Sequence, residues 1–349
     1  MPRFRQPRRT APSAVLADAT LPSIDDVTEP WPAREVTVDG VELNVRTTPA
    51  TSDAAEPALF VHGLGGSALN WTDVAGLLRE RLAIEAIDLP GFGRSGPPRR
   101  DDYSLQAHAN AVIGYLDQSD RGPVHLVGNS MGGAISILVA TQRPDLVRTL
   151  TLISPAVPDR KLRAHPLRSD WRLGLLILPY LGEAALRKMA TVAVETRVKG
   201  TLLMCLADPA RYPQRRFDDD VAEAKARLDA PWVDRAMLAS TRGLVRSQFL
   251  HGRRGWAAMR RISAPTLVVW GDKDKLVAPD LAPYVAAAIP DSRLLVLEDI
   301  GHTAMMEDPV TTARAVLGLL GSAETTDSTE TTDSTETTGS TERSAAERA

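Results

Sequence analysis

Cysteine is almost missing from this chain. Cys205 stands alone among 349 residues, which excludes an intramolecular disulfide and suits a reducing compartment. Charge of one sign is lacking as well: 41 Lys and Arg face 44 Asp and Glu, a formal net charge of −3. That balance argues against a nucleic-acid surface, which needs clustered positive charge. Long apolar runs are also missing, since the stretch Trp171–Leu181 falls well short of the ~20 residues that cross a bilayer. Near the N-terminus, Arg3, Arg5, Arg8 and Arg9 are followed only by Ala14-Val15-Leu16-Ala17. That is too short for a signal-peptide core or for twin-arginine export, so the expected location is cytoplasmic. His108, His125, His165 and His251 stand at no ligand-like spacing to Cys, Asp or Glu, and neither a metal nor a cofactor is expected.

Both ends read as something other than a packed domain. Residues 1–30 hold several prolines and few large apolar groups, which describes an extended N-terminal arm, laid over the body through Trp31. At the other end Thr325-Thr326-Asp327-Ser328-Thr329-Glu330 recurs as Thr331–Glu336 and, with Gly339 in place of Asp, runs on to Glu342. A polar, acidic hexad cannot bury a core, so residues 322–349 are expected to form a disordered tail.

What lies between alternates. Val36–Arg46 reads as a hairpin around Asp39-Gly40. Strand-like runs follow at 58–62, 83–88, 123–128, 148–153, 266–270 and 293–297, separated by helical stretches such as Leu105–Gln118. Strands alternating with helices imply a mainly parallel sheet covered on both faces. From Ser154 to Ile262 the chain shows helical patterns and no clear strand, at Glu183–Val194, Asp219–Leu228 and Val233–Phe249.

The chemistry concentrates where the buried run Val124-His125-Leu126-Val127 meets Gly128-Asn129-Ser130-Met131-Gly132. A strand that turns sharply into a helix strains the residue at the turn, and only side-chain-free neighbours let the backbone pass so closely. Ser130 is thereby presented as a nucleophile at the sheet's C-terminal edge. The helix opening at Met131 aims its N–H groups and partial positive charge at a developing oxyanion. A serine needs a base, and the base an acid. His302 sits in the short loop after Leu294-Leu295-Val296-Leu297, while Thr266–Trp270 runs into Gly271-Asp272-Lys273-Asp274, which offers two aspartates.

With these motifs in the order Ser, Asp, His, the chain resembles the α/β-hydrolase family from about Glu35 to Leu320. His62-Gly63-Leu64-Gly65-Gly66 is similar to the family's oxyanion loop, and Asp88–Ser95 to the segment after its next strand. The resemblance implies an α/β fold: a mainly parallel sheet flanked by helices, with a helical lid inserted after the sixth core strand. It divides the chain into core residues 31–158, a lid over 159–262 and core residues 263–321. It further implies Asp274 as the triad acid with Ser130 and His302, and the backbone N–H groups of Leu64 and Met131 as the oxyanion donors. Asp272 then reads as a loop-turning residue, His62 as a loop brace, Asp88 and Arg94 as turn and packing residues, and Cys205 as packing.

Epoxide hydrolases and haloalkane dehalogenases are similar relatives, but they carry an aspartate where this chain has Ser130. A serine suits acyl transfer, so the expected activity is carboxylic ester hydrolysis of an apolar small-molecule substrate. The elbow Gly128–Gly133 also resembles that of carbon–carbon bond hydrolases of the meta-cleavage type. Against that reading stand Thr303, where those enzymes carry tryptophan, and the fewer glycines of the 63–66 loop. A binding protein on a hydrolase fold would have no need of an intact Ser130, Asp274 and His302. The run Trp171–Leu181 has three readings: a buried lid helix, the roof of an acyl pocket, or a patch that meets lipid, the last not favoured.

Overall fold

The first two strands form the expected hairpin. β1 (Ala33–Val38) and β2 (Val41–Thr48) are joined by Asp39 and Gly40 at φ 49° and 77°, the paired left-handed residues of a type I′ turn. The computed structural model describes residues 9–27, 29–159 and 176–323, and for residues 248–253 the backbone alone. The sequence then runs through β3 (Glu56–Val61), α1 (Thr72–Leu78), β4 (Leu82–Ile87), α2 (Leu105–Ser119), β5 (Val124–Asn129), α3 (Met131–Gln142) and β6 (Val147–Ile153). Among the described residues four α-helices follow: α4 (Leu181–Ala190), α5 (Val194–Cys205), α6 (Gln214–Ala226) and α7 (Val233–Met259). The described residues end with β7 (Thr266–Gly271), α8 (Ala282–Ala288), β8 (Ser292–Leu297), α9 (Ala304–Glu307) and a helix, α10, over residues 309–323.

The described strands make one sheet in the order β1-β2-β4-β3-β5-β6-β7-β8. β2 is antiparallel to both neighbours, and β3 to β8 run parallel. Every residue of β5 and β7 is buried, which is why Leu267-Val268-Val269-Trp270 of β7 reads as an unbroken apolar run; in β5 the apolar residues are interrupted by His125, buried against Thr149 Oγ1 at 2.8 Å. One cluster packs α2, α3 and α8 on one face, and a second packs α1, α9 and α10 on the other. The strand order reverses between β3 and β5, the switch point at which open α/β sheets place a site beyond the strands' C-terminal ends.

The segment from β6 to β7 is helical in its described part, as expected, but its divisions differ. The stretch read as Glu183–Val194 ends at Ala190, and a further helix, α5, follows. Thr196, Val198, Gly200 and Thr201 give α5 poor intrinsic helicity, so its pattern was weak; Leu202, buried in the core, holds it. α7 runs ten residues beyond the expected end at Phe249 because its C-terminal part joins the core. There Met259 is buried, and the Trp256 indole donates to the Pro158 carbonyl at 3.2 Å. In the apolar run, residues 171–175 lie outside the described residues. Leu176 is buried with Leu186 and Leu238, whereas Leu178 and Tyr180 are exposed. No described helix is long and apolar enough to cross a membrane.

These helices are tied to the body by charge. Arg216 on α6 donates to Asp73 at 2.8 Å with both side chains buried, and Arg94 reaches Glu223 at 3.0 Å. The N-terminal arm also docks beyond the expected contact of Trp31, whose indole donates to the Thr72 carbonyl at 2.8 Å. Ala14 N–H donates to Leu294 O and Leu294 N–H to Pro12 O, both at 2.9 Å, so the arm covers the open edge of β8. Residues 324–349, with the hexad repeats, lie outside the described residues.

Candidate active site

Ser130 occupies the turn between β5 and α3 with φ 54° and ψ −116°, a strained conformation for a residue with a Cβ. The strain is held by its own backbone: Ser130 N–H donates to Ile153 O at 3.0 Å, and Ser130 O accepts from Ala134 and Ala156. The flanking glycines are required by contact. A Cβ on Gly128 would strike Ser136 Oγ and sit 2.5 Å from Gly132 O, and one on Gly132 would run into the carbonyls of Val61 and His62. β5 and β3 are neighbours, and so Ser130 faces the loop that leaves β3.

That loop is a tight turn, closed by Gly66 N–H to Gly63 O at 3.1 Å with Gly65 at φ 75°, the left-handed position of a type II turn. Leu64 is its first central residue, so the turn does not consume its N–H. A Cβ built on Gly63 would lie 3.1 Å from Ser130 Cβ, which measures how closely loop and serine approach. Met131 opens α3, where first-turn N–H groups have no acceptor within the helix. His62 braces the loop: Nε2 accepts from Leu89 N–H at 3.0 Å, and Nδ1 donates to Gly63 O at 2.7 Å. Complete burial lowers its pKa, keeping this ring neutral. Asp88 takes N–H donors from Ala68 and Arg94, which fits a loop-holding role.

His302 follows β8 and is 3% exposed. Its Nδ1 lies 2.8 Å from Asp274 Oδ2. The other carboxylate oxygen, Oδ1, accepts from the N–H groups of Leu276 and Val277 at 2.8 and 2.9 Å. Asp272 takes no part in this pair. It accepts from Asp299 N–H and Lys273 Nζ, and those partners hold its carboxyl below the usual range. The residue before the serine joins the two halves: Asn129 Nδ2 donates to His302 O and to Ile153 O, both at 3.1 Å. An amide ending a buried strand was the available sign of this bridge, and sequence reasoning passed over it. It also passed over Glu307, a carboxylate set among Ala304, Met305 and Met306, which accepts from Gly301 N–H at 2.7 Å.

The other titratable groups fall away from the chemistry. Desolvation pushes the Cys205 thiol up to about 12, too high for a nucleophile at neutral pH. His108 sits between α2 and α7 with Nε2 3.2 Å from Ser240 Oγ, and burial pushes it down to about 3. His125 meets Thr149 Oγ1 at 2.8 Å. His165 and the side chain of His251 lie outside the described residues. Among the described residues no three of His, Cys, Asp and Glu are grouped to hold a metal ion.

A family model described as the alpha/beta hydrolase fold matches residues 57–309. The chain belongs to the α/β-hydrolase family. Among α/β-hydrolase relatives, Uncharacterized hydrolase YugF of Bacillus subtilis is 28% identical over 278 residues, covering 80% of this chain and 94% of that one. Lipase 1 of Psychrobacter immobilis is 29% identical over 269 residues, 73% of each chain. Solved structures of the same fold include a membrane phospholipase A (TM-score 0.65, 23% identity, 86% of this chain and 89% of that one) and a haloalkane dehalogenase loop variant from Bradyrhizobium elkanii (0.70, 21%, 85% and 98%).

Proposed function

We propose that this α/β-hydrolase cleaves carboxylic esters through an acyl-enzyme intermediate, with Ser130 as nucleophile, His302 as general base and Asp274 as its orienting acid. The observation that carries the reading is the strained Ser130 at the helix N-terminus, facing a loop turn, while the His302–Asp274 pair, 2.8 Å apart, is tied to the neighbouring residue by the 3.1 Å bond from Asn129 Nδ2 to His302 O. Ser130 Oγ attacks the ester carbonyl as His302 Nε2 takes its proton. The Asp274 carboxylate stabilises the imidazolium, and the N–H groups of Leu64 and Met131 receive the oxyanion. Collapse returns the proton to the leaving alcohol, and water repeats the cycle on the acyl-enzyme.

Dehalogenase-like folds raise a second chemistry, which the nucleophile disfavours. Displacement of halide by a serine oxygen would leave an alkyl ether, which a triad and oxyanion hole cannot hydrolyse. Lipases among the sequence relatives support an apolar acyl group. So does Met237 of α7, whose Cε lies 3.3 Å from where a Cβ on Gly65 would stand, beside the oxyanion loop. We read the helices between β6 and β7 as a lid that chooses the substrate.

The test pairs fluorophosphonate labelling with p-nitrophenyl ester turnover, run beside a meta-cleavage dienone. Ser130→Ala should abolish labelling and ester turnover in a folded protein. Retained activity would end the serine mechanism, and turnover of the dienone alone would move the reaction to carbon–carbon cleavage.

A further inference from the structure

Glu307 is a carboxylate with 4% exposure and no work in the triad. A buried charge must be met by hydrogen bonds, and the donors that meet this one come from two distant parts of the chain. Oε2 accepts from Gly301 N–H at 2.7 Å and from Ala207 N–H at 3.1 Å, while Oε1 accepts from Asp208 N–H at 2.7 Å. Gly301 immediately precedes the base. Ala207 and Asp208 follow the C-terminus of α5, inside the helical insertion.

The same junction is closed from the other side. His302 N–H donates to Cys205 O at 2.6 Å, so the peptide of the base hydrogen-bonds directly to the end of α5. Lys275, next to Asp274, donates Nζ to Leu203 O and Leu206 O at 3.0 Å, capping the last carbonyls of that helix. Gly301 has no room for a side chain, because a Cβ there would run into Cys205 O and lie 2.7 Å from Ala207 N. The loops carrying His302 and Asp274 thus close around one helix end, and the Glu307 carboxylate sits at the centre.

We propose that Glu307 is a positioning residue for the base, joining the His302 loop to the C-terminal end of α5 so that the insertion holds His302 in register as well as covering the site. The proposal rests on the reading of His302 as general base. Its logic is geometric: three N–H donors need at least two acceptor oxygens, and a carboxylate supplies both. An amide supplies one, and its NH2 would oppose either Asp208 N–H or the Gly301 and Ala207 pair. The loop must then shift, and displacement of a reacting group by about 1 Å costs on the order of 100-fold in rate.

Glu307→Gln in the full-length protein should therefore lower kcat for a p-nitrophenyl ester by about 100-fold, with KM within about twofold, since Glu307 touches no substrate. The low-field proton resonance of the His302 Nδ1–H···Asp274 bond should weaken or broaden with it. Glu307→Asp keeps both acceptors on a shorter stem and should recover part of kcat and of the resonance. Wild-type kcat in a folded Glu307→Gln protein overturns the proposal, as does a rise in KM without a fall in kcat. If Glu307→Gln does not fold, Glu307→Asp decides: kcat reduced with KM held supports positioning, and wild-type kcat overturns it. Ser130→Ala, run in parallel, separates the two levels. Turnover surviving in that variant removes the serine-hydrolase reading, whereas its loss beside a fully active Glu307→Gln removes only the role given to Glu307.

Discussion

Replacing Asp274 by asparagine tests the triad at the point where the structure dictates the outcome. Asp274 Oδ1 is held by two backbone donors, Leu276 N–H and Val277 N–H, and Oδ2 faces His302 Nδ1. An asparagine keeps its carbonyl oxygen on those two donors. Turning the amide round would set NH2 against both N–H groups, at about 1–3 kcal/mol for each donor left unmet. The NH2 therefore points at Nδ1, which must become an acceptor, and the ring proton moves to Nε2. In that tautomer Nε2 cannot take the serine proton. The expected loss in kcat is about 10⁴-fold, near 5 kcal/mol of barrier, with KM little changed because the acid touches no substrate. Asp272→Asn should cost far less, since Asp272 bonds to Lys273 and Asp299 rather than to the base. Steady-state kinetics on a soluble ester reads both variants. A fall of less than tenfold in folded Asp274→Asn, or an equal fall in Asp272→Asn, would refute the reasoning.

Arg216→Met leaves the Asp73 carboxylate buried without its cation and should cost about 3–5 kcal/mol in urea unfolding, most of it regained in the double variant with Asp73→Asn; a loss under about 1 kcal/mol would contradict this. Desolvation lifts the Asp220 carboxyl to about 7, so the native state keeps a proton that the unfolded chain sheds near 3.8. Stability from this group is complete below that lower value and disappears as pH rises through about 7, so Asp220→Asn should gain melting temperature relative to the parent between about pH 4 and pH 7; parallel Tm curves would count against it. Wherever an acyl chain lies along Met237, kcat/KM should climb by up to about fourfold per added methylene, and Met237→Glu should flatten that slope from acetate to decanoate while sparing acetate; an unchanged slope would move the acyl site elsewhere.

The parts of this molecule legible in its sequence are those fixed by short-range physics. β7 is buried on both faces and so announces itself as an apolar run, and β5 does so apart from His125. The Asp39-Gly40 turn and the glycines around Ser130 are demanded by the backbone at those positions. The choice between Asp272 and Asp274 was less legible, because both follow the same strand; what separates them is a partner 28 residues on, His302. Helix α5 was missed because Gly200 and the β-branched residues weaken its local signal, and its stability comes from Leu202 in the core. Glu307 gave only the faint sign of an acid in an apolar turn, and its bonds reach back about a hundred residues.

The docked N-terminal arm bears on the order in which the molecule is assembled. Ala14 is bonded to Leu294, and Arg9 donates to Ile289 O across a separation of 280 residues. On the ribosome, where chains grow from the N-terminus, the arm must wait for a strand made some 280 residues after it. Until then it hangs loose, and β8, on emerging, presents a bare edge that another chain could pair with. Closing so wide a loop is not itself prohibitive, since each doubling of length adds only about 0.6 kcal/mol. What the arm contributes is timing: it seals the sheet once the body has formed, and refolding of protein lacking residues 1–17 should show its penalty in aggregation yield more than in the activity of the molecules that succeed.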